Sequence, residues 1–184
     1  MANPQATRPD PLAERRSSGI EHAGTIRAYF PWWDTQVRPG LVRLVEAFPE
    51  HDLDFKPRPE LMTARELLVH IAECERYWVH CVIEGAVEEE WVVPLDDPRQ
   101  GYRLIVDAPD RASLLALLEQ WHRPTQAWLD RPESDLAREI VSEARGRCTV
   151  HWILDRGHEH EIHHRAQLGV YLRMLGAEPP SFWG

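Results

Sequence analysis

Four stretches of this chain repeat apolar residues at steps of three and four, and that spacing fixes what it can fold into. The first reads Ile26, Phe30, Trp33, Val37, Leu41, Leu44, Phe48, and the second Leu67, Ile71, Cys74, Trp78, Cys81. The third is Leu114, Leu118, Trp121, Thr125, Trp128, and the last Ile153, Gly157, His160, His164, Leu168, Tyr171, Leu175. Each set makes one stripe on a helix. A helix with one apolar stripe must bury it against another layer. Four such helices with little strand signal predict an all-α protein, a four-helix bundle.

Local signals bound these helices. Pro31 and Pro39 interrupt the first and predict a kink or two abutting helices, and Pro49 ends it. Thr63-Ala64-Arg65-Glu66 matches a capping box at the start of the second, and Gly85 is its stop. Asp110 caps the third, which should bend at Pro124. The last begins at Thr149 or Val150 and ends before Gly176 and Pro179-Pro180. Residues 85–109 carry no periodicity. A connection of ~25 residues can run back along a helix of ~20 residues, roughly 30 Å long, so the helices it joins can be parallel. Glu139-Ile140-Val141 and Arg147-Cys148-Thr149 around Gly146 suggest a short hairpin. Residues 1–20 are expected to be a flexible N-terminal arm, and 21–184 one domain.

Composition removes several functions. The formal net charge is −9, which argues against the basic footprint a nucleic-acid binder needs. No apolar run approaches the ~20 residues of a membrane-spanning helix. Arg15-Arg16 is not followed by an apolar export segment, because Glu21, His22 and Arg27 intervene. Cys74, Cys81 and Cys148 are odd in number and suit a reducing compartment. A soluble, cytoplasmic protein is expected. Its single lysine, Lys56, against twenty arginines reads as genomic composition.

Chemistry concentrates in the last helix, where His151, His158, His160, His163 and His164 lie. At about 100° per residue, His160 and His164 stand one above the other on the apolar stripe, while His163 sits on the shoulder and His151 and His158 fall toward the far side. Imidazoles facing a core need partners, since an unsatisfied buried polar group costs ~1–3 kcal/mol. A divalent metal satisfies both, and two histidines four apart are a familiar zinc half-site. The alternative is a solvated cluster, or core histidines bonded to other helices. His70 is the candidate third ligand. It lies beside the stripe of the second helix, about 10 Å from its cap. His22, His51, His80 and His122 have weaker claims.

Leu67-Leu68-Val69-His70-Ile71-Ala72, with Glu75 and Trp78, resembles the second helix of the DinB/YfiT-like superfamily. His160-Glu161-Ile162-His163-His164-Arg165-Ala166-Gln167-Leu168, continuing through Tyr171 to Pro180, is similar to its last helix. Leu53-Asp54-Phe55-Lys56-Pro57-Arg58-Pro59 extends the likeness, which covers roughly residues 22–180. Ala166 stands where many members have glycine. The resemblance implies an up-down-down-up bundle, a metal site at His70, His160 and His164, and a homodimer. It also implies a small-molecule substrate, with a low-molecular-weight thiol such as bacillithiol or mycothiol as cosubstrate in a transferase or isomerase.

Three neutral imidazoles leave an ion its full charge and an open position, whereas structural zinc sites are usually closed by four protein ligands. Zinc is the first expectation, with nickel or another transition metal as alternatives. Three readings follow: a thiol-dependent S-transferase or isomerase, a hydrolase using metal-bound water, or a non-catalytic metal-binding module. His160-Glu161-x-x-His164 also matches the zincin HExxH pattern, but Glu161 lies about 100° from His160, and Arg165 invites a surface pair with it. Cys74, one turn past His70, is either a fourth ligand, which would close the site and count against catalysis, or a small buried core residue. Arg156, Gln167 and Tyr77 are weaker candidates for the surroundings. Trp78, Trp121, Trp128 and Trp152 are read as core or dimer packing.

Overall fold

The computed structural model describes residues 23–85, 92–94, 102–104, 108–142 and 146–181. The expected arm, residues 1–20, and most of the 85–109 connection lie outside them. Among the described residues four α-helices carry the fold: α1 (Arg38–Ala47), α2 (Ala64–Glu75), α3 (Arg111–Leu129) and α4 (Val150–Met174). Two short antiparallel pairs accompany them. β1 (Val92–Pro94) joins β2 (Tyr102–Leu104), and β3 (Glu139–Ser142) joins β4 (Gly146–Thr149). The second pair is the expected hairpin; Gly146, at φ +71°, supplies the left-handed residue at the end of its turn. No helix among the described residues is long and apolar enough to cross a membrane.

The caps work as the sequence predicts. Thr63 Oγ1 accepts from the Glu66 amide at 3.0 Å, and Glu66 Oε2 accepts from the Thr63 amide at 2.7 Å. Asp110 and Ser113 form the same reciprocal pair ahead of α3, and Thr149 caps α4. The first predicted helix divides. A 3₁₀ turn (Ile26–Ala28) and a π segment (Trp33–Val37) precede α1, with Pro39 in its first turn. Proline tolerates that place because the first amides of a helix have no partner within it. All seven stripe residues are nonetheless buried, since the wider π turn keeps them in line with the core. Helix α2 likewise continues as a π segment, Arg76–Ile83. Pro124 lies within α3 without ending it.

Helix α2 packs on α3 and α4, and α1 packs on the same two. The core falls into two halves. One gathers Leu41, Leu44, Leu68, Ile71, Leu118 and Leu168; the other gathers Trp33, Val37, Trp78, Trp128, Ile153 and Leu154. A layer of charge lies between them. Arg38, Glu75, His122 and Glu161, one from each helix, meet there, and α2 and α3 bury Glu73 and Thr125 as well.

Candidate metal centre

His70 on α2 and His160 and His164 on α4 turn their rings to one point. His160 Nε2 lies 3.0 Å from His70 Nε2 and 3.0 Å from His164 Nε2. Ring centroids are 4.8 Å apart for His70–His160, 4.9 Å for His70–His164 and 4.3 Å for His160–His164. The step of four on α4 stacks two of the rings, and the α2–α4 contact brings up the third.

Electrostatics favour neutral rings with free lone pairs. Burial, then the charge of His164, holds His70 down to about 4. Burial and the neighbouring histidines hold His160 down to about 3. Burial also lowers His164, against a hydrogen bond from its ring to Gln167. That bond fixes a tautomer. His164 Nδ1 donates to Gln167 Oε1 at 2.7 Å, so Nε2 carries the lone pair toward the centre. A tetrahedral ion with metal–nitrogen bonds of about 2.0–2.1 Å needs nitrogens about 3.3 Å apart. The observed 3.0 Å contacts are within a few tenths of that, so His160 stands at a separation from both His70 and His164 that suits shared coordination of a divalent transition metal. Cys74 Sγ joins the cluster 3.6 Å from His70 Nδ1, and burial, then Glu73, pushes its thiol up to about 12.

The remaining histidines separate from this point. His163 is exposed, its ring beside His164 at 4.9 Å. His151 is exposed as expected. His158 is not on a solvent face: its ring lies 5.1 Å from Trp33, and burial lowers its pKa. The folded-in Trp33 creates that contact, and Gly157 makes room for it. A Cβ at residue 157 would stand 3.2 Å from Trp33 Cη2. Arg156 pairs with Asp155 and Glu159 rather than with the imidazoles. Tyr77 packs against Trp78 in the lower core.

Glu161 corrects the expected surface pair. It is buried, accepts from Trp33 Nε1 at 2.8 Å, and meets Arg38 Nη2 at 2.9 Å. Arg165 instead donates to the backbone oxygens of Gln36 and Val37. A glutamate held this way, turned from the imidazoles into the core, cannot serve as the base of a zincin. Burial raises its pKa.

Glu161 belongs to a network that spacing could have revealed. Arg38 Nη2 also pairs with Glu75 Oε2. His122 Nδ1 donates to Glu75 Oε1 at 2.6 Å and its Nε2 to Asp34 Oδ1 at 2.7 Å, and Asp34 in turn pairs with Arg27. Both ring nitrogens of His122 are taken up by carboxylates. Burial would raise Glu75, but Arg38 and His122 outweigh it and hold its carboxyl below the usual range. Glu75, His122 and Glu161 lie close enough to hold an ion. Arg38 fills the cation's place between the carboxylates, and both nitrogens of His122 are already bonded to Glu75 and Asp34. We read this layer as an ion-pair network. Leu154, Glu161 and Leu168 are seven apart, and Leu118, His122 and Thr125 follow steps of four and three. Glu161 and His122 lie outside the stripes read from the sequence, but their spacing from these buried residues was the available signal.

The DinB family profile matches residues 24–184. The chain is 30% identical over 146 residues to YjoA of Bacillus subtilis, covering 76% of this chain and 84% of that protein. It superposes on the crystal structure of YjoA, a DinB-like protein, with a TM-score of 0.58 and 26% identity, over 80% of this chain and 92% of the other. A DinB-like protein from Bacillus cereus shares the fold at a TM-score of 0.63 and 15% identity, over 86% of this chain and 97% of the other. With a predominantly helical architecture and a His70–Cys74–His160 group close enough to hold a metal, the chain belongs to the DinB family, within the DinB/YfiT-like superfamily.

Proposed function

We propose that His70, His160 and His164 bind one divalent transition-metal ion, zinc first, and that the protein is a metal-dependent enzyme using a small thiol as cosubstrate, an S-transferase or isomerase. The observation that carries this reading is the placing of His70 Nε2 and His164 Nε2 each 3.0 Å from His160 Nε2. The ion, when bound, would lower the pKa of a thiol and present it as a thiolate. His70, His160 and His164 would hold it, and Gln167 would keep His164 in the tautomer that offers Nε2. The apolar core around α2 and α4 limits water on the inner side.

We also infer that the helices run up-down-down-up. The order in which each passes the two core halves supports it. The α1 segment goes from Val37 to Leu41 and α4 from Ile153 to Leu168, out of the Trp33 half; α2 goes from Leu68 to Trp78 and α3 from Leu118 to Trp128, into it.

The test is metal content of the untagged protein beside His70→Ala, His160→Ala and His164→Ala. Each variant is expected to lose most of the metal, while His151→Ala keeps it. Retention by all three refutes the site. Loaded protein is then assayed with thiols and electrophiles. Ester or amide turnover without thiol would replace the transferase reading with a hydrolase, and inactivity in both assays would leave a metal-binding module.

A further inference from the structure

We propose that the outward face of α4 around Ala166 is an interface between two copies of this chain, packed antiparallel about a two-fold axis at that residue. The inference goes beyond the metal reading and does not rest on it. Among the described residues seven large apolar side chains are exposed, and four of them lie on α4: Trp152, Ile162 at 37%, Val170 at 50% and Met174 at 56%. Ile162, Ala166, Val170 and Met174 follow a step of four, so they stand in one row, and Ala166 is exposed with the others. The opposite side of the helix, with Ile153, Leu168 and Leu172, fills the core. One helix thus carries two apolar faces, and the bundle covers one of them.

The order of residues on the outer face selects the occupant. At about 100° per residue, Ile162 and Val170 fall about 40° to either side of Ala166, and Glu159 and Arg173 about 20° to either side. Each member of a pair lies as far before Ala166 as the other lies after it. In an antiparallel pair centred there, Ile162 comes beside Val170 of the second copy, and Glu159 comes level with its Arg173, at both ends. Ala166 meets itself with only a methyl group on each side, so the backbones can approach. A parallel pair in register would instead set Glu159 on Glu159 and Arg173 on Arg173, and like charges oppose it. The face is therefore complementary to itself in the one arrangement that closes with two-fold symmetry. Glu159 already meets Arg156 of its own helix at 2.7 Å, an exposed pair that holds it weakly and leaves its carboxylate free to accept a second cation. His160 and His164 lie about 120° and 160° round the helix from Ala166, so pairing leaves the imidazoles on their own side.

Sedimentation equilibrium of the full chain is the test. Wild type is expected to be a dimer at micromolar concentration. Ile162→Asp and Val170→Asp should give monomers with wild-type circular dichroism and wild-type metal content. Arg173→Glu and Glu159→Arg should each weaken the dimer at least about tenfold, because the symmetry repeats every repulsion, and the double variant should restore it. Ala166→Cys treated with diamide should cross-link to itself beyond any product seen in wild type. With axes about 9–10 Å apart and each Cα about 2.3 Å from its axis, the two Cα atoms would stand about 4.4–5.4 Å apart, within disulfide reach. Met174→Cys would leave its two copies about 24 Å apart and should not cross-link. A monomeric wild type, a dimer indifferent to Val170→Asp, charge reversals that the double variant does not rescue, or cross-linking at Met174 and not at Ala166 overturns the proposal.

Discussion

Replacing Arg38 by methionine removes the cation that bridges Glu75 and Glu161 while keeping much of the apolar stem. In the wild-type layer Arg27, Arg38 and His122 face Asp34, Glu75 and Glu161. Glu75 would keep His122, but Glu161 would keep only the indole N–H of Trp33 among the bonds described for it. Stranding one partner of a buried pair costs about 3–5 kcal/mol. At this chain length each kcal/mol moves the melting temperature by about 2–4 °C, so Arg38→Met should lower it by roughly 6–20 °C. Urea and thermal unfolding measure both quantities. The double variant Arg38→Met/Glu161→Gln removes both charges and leaves an oxygen for Trp33, so it should recover about 1–3 kcal/mol. A loss under about 1 kcal/mol in the single variant, or no recovery in the double, would refute the network as a buried ion pair.

Glu75 gives a pH signature. Its folded pKa is depressed below the ordinary 4.5, so its stabilisation is complete above that value and disappears as pH falls through the folded pKa. Acid unfolding should begin below about pH 4.5, and Glu75→Gln, less stable at neutral pH, should flatten that limb. Gly157→Leu should destabilise by about 1–3 kcal/mol in thermal melts, because Trp33 already stands at contact distance from any Cβ there. Wild-type stability in that variant would show that Trp33 moves freely. Gln167→Leu should weaken metal binding about tenfold or more in a chelator competition, having lost the acceptor that sets the His164 tautomer. Equal affinity would assign that role elsewhere.

The periodic stripes made the helices legible because burial and helical pitch act within one segment. The capping box at Thr63 is equally local, and so is the hairpin around Gly146. The division of the first helix was foreshadowed by Pro31 and Pro39, but the π turn at Trp33–Val37 was not, since it answers to packing against α4. His160 and His164 were readable as a pair by their step of four, and His70 as a candidate neighbour from its place beside the second stripe as well as from the family resemblance; the packed helices bring its ring 3.0 Å from His160.

Glu161 marks the limit of that reading. Next to Arg165 in sequence terms it looks like one end of a surface pair; in the folded chain it is sealed beneath Trp33 and Arg38. The chain's own pattern set the helices, their caps and the histidine pair, because those depend on neighbours within a turn or two. Tertiary structure alone decided that Arg38, Glu75, His122 and Glu161 meet in one layer and that His70 and Cys74 stand against His160. Such meetings depend on where separate helices pack, and a low-dielectric interior admits charge only where opposite charge arrives from another helix.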